Sequence, residues 1–480
     1  MRSRRRTAGR RRLAIAGAAL ILLIAVLIVV LVASGGKSGP PPLPLPGIGQ
    51  PAKPGDPFAY VASRESDFVA RAIDGTDHPL FVKSPGGALA TAARVAAFRP
   101  MIDAAVGGTG IDPDMLEALV FVESAGRPNV IAGADPVDAS GLTQILASTG
   151  QSLLGMHIDL ARSRRLTAQI DIAAARGQGG RVARLQRQRA GADDRFNPRK
   201  ALAASVRYLE IAERDLGRSD LAFESYHMGI GNLQRVLDLY DGGHAVPYPQ
   251  LYFDTAPDHN RTAYDLISSF GDDSSLYYWR LLGAKQIMHL YRTNRPALER
   301  LSALQTAVDS NAYVLQPPDV VHDFATPDAL DRAYAARTIL PLPSNARALG
   351  LAYDPGIGSL ASQLKVTPAL YRGLRPDALD MLVALAARVR ALSGGAAPLR
   401  VTSAVSDLRY QQMLGTEDPP AAAGWSFTIA RRYVNSRQAV AFQAMLDRLQ
   451  ALDLIAWERF PSEIEVTVAS NASQALVHGP

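Results

Sequence analysis

Between Leu13 and Ala33 the chain runs apolar without a single charged residue. About 21 residues at ~1.5 Å each span ~31 Å, the thickness of a bilayer's hydrocarbon core. Arginines at 2, 4, 5, 6, 10, 11 and 12 precede this stretch. Flanking positive charge keeps that side cytoplasmic and sends everything after it across the membrane. A cleaved signal peptide is the rival reading, but its apolar core is usually shorter and ends at a small-x-small site, which Val32-Ala33-Ser34-Gly35 matches poorly. The expectation is a single-pass anchor at 13–33 behind a cytoplasmic tail at 1–12, with the rest of the chain extracytoplasmic.

Seen this way, the formal charge of +6 is a topological signal. Removing the seven arginines of the tail leaves −1 for the remaining chain. A nearly neutral body lacks the clustered basic surface that nucleic-acid binding needs, so no nucleic-acid partner is expected. Cysteine is absent, which excludes disulfides, thiolate metal sites and a cysteine nucleophile.

Residues 34–57 form a Pro/Gly-rich linker around Pro40-Pro41-Pro42-Leu43-Pro44-Leu45-Pro46. Such a segment favours extended polyproline II and buries no core; at ~3.1 Å per residue it reaches up to ~70 Å. A partner-binding proline motif is the alternative to a spacer. The pattern is helical over 58–240, interrupted at 160–195 by an Arg/Gln/Ala-rich stretch that reads as an inserted polar helical hairpin. Its arginines suit either a solvated face or contact with an anionic polymer. Residues 241–340 read as a helical extension, where Tyr277-Tyr278-Trp279-Arg280-Leu281-Leu282 and Ile287-Met288-His289-Leu290-Tyr291 keep a helical apolar period that suits a core better than a ligand platform. Over 341–475, helices near Pro376–Leu392 and Ser436–Leu452 alternate with strands at Leu399–Ser403 and Ile464–Val468, predicting a small α+β domain.

One helix carries the first candidate for chemistry. Asp112-Pro113 suits a helix start, with Asp as cap and Pro at the first helical position. Leu116, Leu119, Val120 and Glu123 then fall at i, i+3, i+4 and i+7, so Glu123 shares the apolar stripe. Desolvation there would raise the pKa of a carboxyl, as a general acid at neutral pH requires. Glu117 lies off the stripe and is expected at the surface. Asp135 and Asp138 fall where a turn is the simpler role, though a hydrolytic carboxylate is the alternative.

Glu123-Ser124-Ala125-Gly126-Arg127-Pro128 is followed by Asp138-Ala139-Ser140-Gly141-Leu142-Thr143-Gln144, by Asn197-Pro198, by the helical stretch 201–209, and by Tyr226-His227-Met228-Gly229-Ile230-Gly231. In this order and spacing, over roughly 86–240, the chain resembles the soluble lytic transglycosylases and goose-type lysozymes. That family shows Glu-Ser after a helix, then Gly-Ala-x-Gly-Leu-Met-Gln, then a helix bearing Tyr-Leu, then Ala-Tyr-Asn-Ala-Gly. The resemblance implies a mainly α, lysozyme-like catalytic domain acting on peptidoglycan glycan strands without a cofactor. It implies that Glu123 is the acid/base that cleaves the MurNAc–GlcNAc bond and closes a 1,6-anhydro ring, which explains the lack of a second dedicated carboxylate. Tyr226 then corresponds to a tyrosine contacting that glutamate, and Ser124, Gln144 and His227 to substrate-side positions. His227 replaces the family's asparagine and Thr143 its methionine. With a reference pKa near ~6.5, His227 would be either a substituted substrate contact or a second titrating group. A hydrolytic muramidase and a non-catalytic wall scaffold are the competing functions.

The C-terminal region is similar, more faintly, to zinc D-Ala-D-Ala carboxypeptidase domains, through Leu399-Arg400-Val401-Thr402-Ser403-Ala404-Val405 and Tyr410-Gln411. On that comparison Ala421 and Thr428 stand where the metal ligands His and Asp belong, Glu465 where a final His belongs, and Ser406 at the place of an arginine. No histidine occurs between His322 and His478, so a His/Asp/His zinc site is not expected here. A non-catalytic domain is expected, with peptide stems as a possible partner.

Overall fold

The structure, a computed structural model, describes residues 58–308, 310–395 and 397–473. The basic tail, the apolar stretch at 13–33 and the whole proline-rich linker at 34–57 lie outside the described residues. Among the described residues no helix is long and apolar enough to cross a membrane. The fold is mainly helical, with a small sheet region near the C-terminus.

The helices used below are, in chain order, α1 Glu65–Thr76, α2 Arg99–Val106, α3 Pro113–Ser124, α4 Leu160–Ala175, α5 Gly179–Ala192, α6 Pro198–Leu216, α7 Ser219–Met228, α8 Tyr277–Thr293, α9 Pro376–Leu392 and α10 Ser436–Ala451. The strands of the main sheet are β1 Leu351–Tyr353, β2 Leu399–Ser403, β3 Ser426–Ala430, β4 Ile455–Arg459 and β5 Glu463–Val468. The described chain divides into two compact units, 91–212 and 58–90 with 213–473.

In the first unit α3 forms as its sequence directs. Asp112 is its cap, its carboxylate accepting the Asp114 N–H at 2.8 Å, and Pro113 fills the first helical position. Apolar residues on every side then bury the helix: Met115, Leu116, Ala118, Leu119, Val120 and Phe121 are all in the core. The polar insertion at 160–195 is the antiparallel pair α4 and α5, holding its own small core of Leu166, Ile170, Ala173, Leu185 and Ala192.

In the second unit α1 packs against α8 and α10. The approach to α10 depends on Gly75, because a Cβ there would lie against the Gln450 carbonyl and the Asp453 N–H. Tyr277, Trp279, Leu281, Ile287 and Met288 of α8 are core residues, as their period predicts.

The sheet order is β1-β2-β3-β5-β4. β1 and β2 run parallel, joined by the crossover that contains α9; the other neighbours are antiparallel. Helix α9 spans the predicted 376–392, and β2 and β5 fall on the two predicted strands. Strand β3 lies outside the two predicted strands: Ser426-Phe427-Thr428-Ile429 alternates polar and apolar residues, yet all five residues of the strand are buried.

Candidate functional site

Glu123 is the penultimate residue of α3 and is partly buried, whereas Leu116, Leu119 and Val120 on the same stripe are fully enclosed. The helix ends one residue later by turning left-handed at Ala125, φ 53°, where the Ala125 N–H donates to Phe121 O at 3.1 Å. The Glu123 carboxyl thus belongs to the last turn of a helix whose middle is rigidly packed. Ser124 is buried; its hydroxyl donates to Val120 O and accepts the Arg127 N–H, each at 3.3 Å, so it secures the helix end from inside.

Glu117 corrects the expectation of a surface residue. It is fully buried, and Arg99 of α2 reaches its carboxylate at 3.3 Å while also pairing with Asp114 at 2.5 Å and Asp103 at 2.7 Å. The stripe reading fails here because α3 has no solvent face over its central turns.

Gln144 sits in the loop that follows. Its backbone is left-handed, φ 50°, a conformation that non-glycine residues adopt only when their surroundings impose it. The side-chain amide donates to Gly141 O at 2.8 Å and Val130 O at 3.3 Å, folding the loop on itself.

What imposes this shape is Arg195, a residue the sequence reading passed over. It is fully buried and paired at 2.7 Å with equally buried Asp193. The guanidinium also donates to Pro136 O at 2.5 Å, Asp138 O at 3.0 Å and Ile145 O at 3.2 Å. A buried ion pair persists when its remaining donors are satisfied, and here they are spent on three carbonyls flanking Gln144. The fit leaves no room for a side chain at Gly141, φ 84°, where a Cβ would collide with the Arg195 carbonyl. The three carbonyls that Arg195 holds lie 50 to 59 residues away in the chain, so no local pattern announces them.

Two further arginines brace the same loop. Arg189 of α5 donates to Asn129 O at 3.1 Å and lies 3.7 Å from the Phe196 ring centroid; its burial lowers its pKa to about 10. Arg164 of α4 pairs with Asp135 at 2.7 Å. Burial works to raise the Asp135 pKa, but the Arg164 hydrogen bond and the Val137 N–H outweigh it and hold the carboxyl below its usual range. Asp135 is therefore a turn-forming, arginine-bound carboxylate.

Tyr226 and His227 belong to the second unit, near the end of α7. Tyr226 is partly exposed. His227 stacks on Tyr277 with ring centroids 5.3 Å apart, and its Nδ1 lies 3.0 Å from Ser274 Oγ. Desolvation lowers its pKa below the ordinary imidazole value, with Asp273 pulling the other way, so at neutral pH the ring is uncharged. Two residues earlier, Glu224 is wholly buried. One of its oxygens accepts the Tyr278 N–H at 2.8 Å, and the other, Oε1, has no hydrogen-bond partner. Burial raises its pKa well above the ordinary glutamate value, against the pull of that N–H, of Tyr248 and of the Arg280 charge.

In the C-terminal sheet, Thr428 and Glu465 face each other directly across β3 and β5, and Glu458 faces Glu465 across β4 and β5. Ser406 is buried and accepts the Gln411 amide at 2.8 Å, and Ala421 is buried in a short helical turn. Among the described residues no group of three or more His, Asp or Glu is placed to hold a metal ion.

No curated protein matches the chain. A family model does: residues 100–178, which contain Glu123, Ser124 and Gln144 but neither Tyr226 nor His227, match the transglycosylase SLT domain. The matched stretch indicates an enzyme of the peptidoglycan lytic transglycosylase type.

Proposed function

We propose that the protein is a membrane-anchored lytic transglycosylase that cuts peptidoglycan glycan strands outside the cell, with Glu123 as its acid and then its base. The carrying observation is the transglycosylase match over a stretch that holds both Glu123 and the arginine-braced Gln144 loop. Protonated Glu123 delivers its proton to the glycosidic oxygen as the bond from MurNAc C1 breaks, freeing the GlcNAc 4-hydroxyl. The carboxylate then accepts the proton of the MurNAc 6-hydroxyl as that oxygen bonds to C1. The proton returns to Glu123, a 1,6-anhydro ring forms, and no water is consumed.

A hydrolytic route needs a second carboxylate to activate water. Of the two candidates in the loop, Asp135 is already committed to Arg164 and the Val137 N–H, which favours the ring-closing route. Gln144 and Ser124 serve this reading by shaping and securing the substrate side of the loop. Tyr226 is the expected partner of the catalytic carboxyl, and neutral His227 a substrate contact rather than a second acid. The stretch at 13–33 would anchor the enzyme and the proline-rich linker would hold it out in the wall. The C-terminal α+β domain is read as a carboxypeptidase-like frame without metal ligands, open to peptide stems.

Mass spectrometry of digested sacculi tests the chemistry. Muropeptides ending in 1,6-anhydro-MurNAc are expected; only reducing MurNAc ends would replace this reading with a muramidase.

A further inference from the structure

Residues 160–192, helices α4 and α5 with the turn between them, hold eight arginines, one aspartate and no lysine, a net +7 in 33 residues. Outside the N-terminal tail, the remainder of the chain therefore carries −8. Two of the eight, Arg164 and Arg189, are the loop braces described above. The other six are exposed: Arg162 and Arg165 on α4, Arg176 in the turn, and Arg181, Arg184 and Arg187 on α5. Among the described residues none of these six pairs with a carboxylate.

Helix energetics oppose this arrangement. Arg162 and Arg165, Arg181 and Arg184, and Arg184 and Arg187 are like charges three apart on one helix face, a destabilising spacing. Arg162 and Arg181 also sit in the first turns of their helices, where the dipole disfavours cations. The hairpin's small core gains nothing from them, so the stripes call for an anion from outside.

We infer that the outer face of the α4–α5 hairpin is a docking surface for a linear phosphate-bearing polymer. Guanidinium groups grip phosphate oxygens in pairs, and an all-arginine set suits that chemistry better than point charges would. Helix α4 offers a track ~24 Å long, enough for several successive phosphates. A lipid surface would ask for an apolar face, but Ile172 is the one exposed large hydrophobic side chain of the hairpin. A nucleic acid would be met by aromatic platforms, and the hairpin has no aromatic residue. Because Arg164 and Arg189 tie the hairpin to the Gln144 loop, a docked polymer is held in fixed relation to that loop.

The test uses the full chain with long-chain inorganic polyphosphate as probe. Two variants are compared with wild type: one with Arg162, Arg165, Arg181 and Arg184 changed to Gln, the other with Arg2, Arg4, Arg5 and Arg6 changed to Gln. Wild type should bind with an affinity that falls at least ~10-fold between 50 and 200 mM salt. The hairpin variant should lose at least ~10-fold in affinity and flatten that salt dependence, with an undiminished Tm. The tail variant should retain most of the binding. Absence of saturable binding, or loss in the tail variant alone, would overturn the proposal. So would tighter hairpin-dependent binding to phosphatidylglycerol vesicles or to single-stranded DNA. Binding, not glycan cleavage, is the readout, so this result and the lytic assignment can fail separately.

Discussion

The two units handle buried carboxyls in opposite ways. In the first, each deeply buried carboxylate described has a cation beside it: Asp193 meets Arg195 and Glu117 meets Arg99. In the second, the buried carboxyls of Asp77 and Glu224 are met by neutral hydrogen-bond donors instead, the Gln305 amide and the Tyr278 N–H. Asp77 lies near Asp74 and Asp453, supported by the Gln305 amide at 2.8 Å, and Glu224 has one oxygen unpaired. A paired charge orients its neighbours through several hydrogen bonds at once, which suits a loop that must hold Gln144 in a left-handed backbone. A lone buried carboxyl escapes its desolvation by keeping its proton, and so makes stability depend on pH.

The largest expected effect comes from breaking the first pattern. Arg195→Met leaves Asp193 charged and unpaired and strands three carbonyls, so we expect a loss of about 3–5 kcal/mol. Hydrogen exchange should rise over residues 130–146 and glycan cleavage should collapse. Gly141→Ala attacks the same loop sterically; with a positive φ and a collision with the Arg195 carbonyl, about 2–4 kcal/mol is expected from denaturant titration.

The pH prediction tests the second pattern. Burial raises Asp453 to about 7, with Asp74 adding to it and Arg71 opposing. Asp77 is raised as well, by burial and then by Asp74 and Asp453. A raised folded pKa means that the folded state holds more protons than the unfolded one between the ordinary carboxyl range and about 7. The stabilisation is therefore complete below the unfolded value and is lost as pH rises through about 7. The slope is at most about 1.4 kcal/mol per pH unit for each such group. Hydrogen exchange should show α1 and α10 more protected at pH 5 than at pH 8, and Asp453→Asn should flatten the trend. The smallest effect belongs to Glu224→Gln. Burial favours the neutral form of Glu224, and Gln is a neutral group of the same shape, so a change under about 1 kcal/mol is expected. A loss as large as that of Arg195→Met would break the contrast.

Parts of this were legible in the sequence for local reasons. The Asp112-Pro113 start of α3, the run of α9 and the alternation of β5 each carry their signal within a few neighbouring residues. The burial of Glu117 was hidden because a stripe argument assumes a solvent face, and a helix apolar all round has none. Strand β3 kept its alternation, Ser426-Phe427-Thr428-Ile429, but as a short central strand its polar face is buried too. The loop around Gln144 showed its motif but not its support, since Arg195, Arg189 and Arg164 reach it from distant sequence. The chemistry-bearing residue types could be read; the charges that hold them could not.

The central claim rests on Glu123. Purified sacculi incubated with wild type and with Glu123→Gln, at matched Tm, give the most direct answer. Removing a general acid and base should slow release of 1,6-anhydro-muropeptides by at least ~100-fold. Release at the wild-type rate by Glu123→Gln would contradict the account.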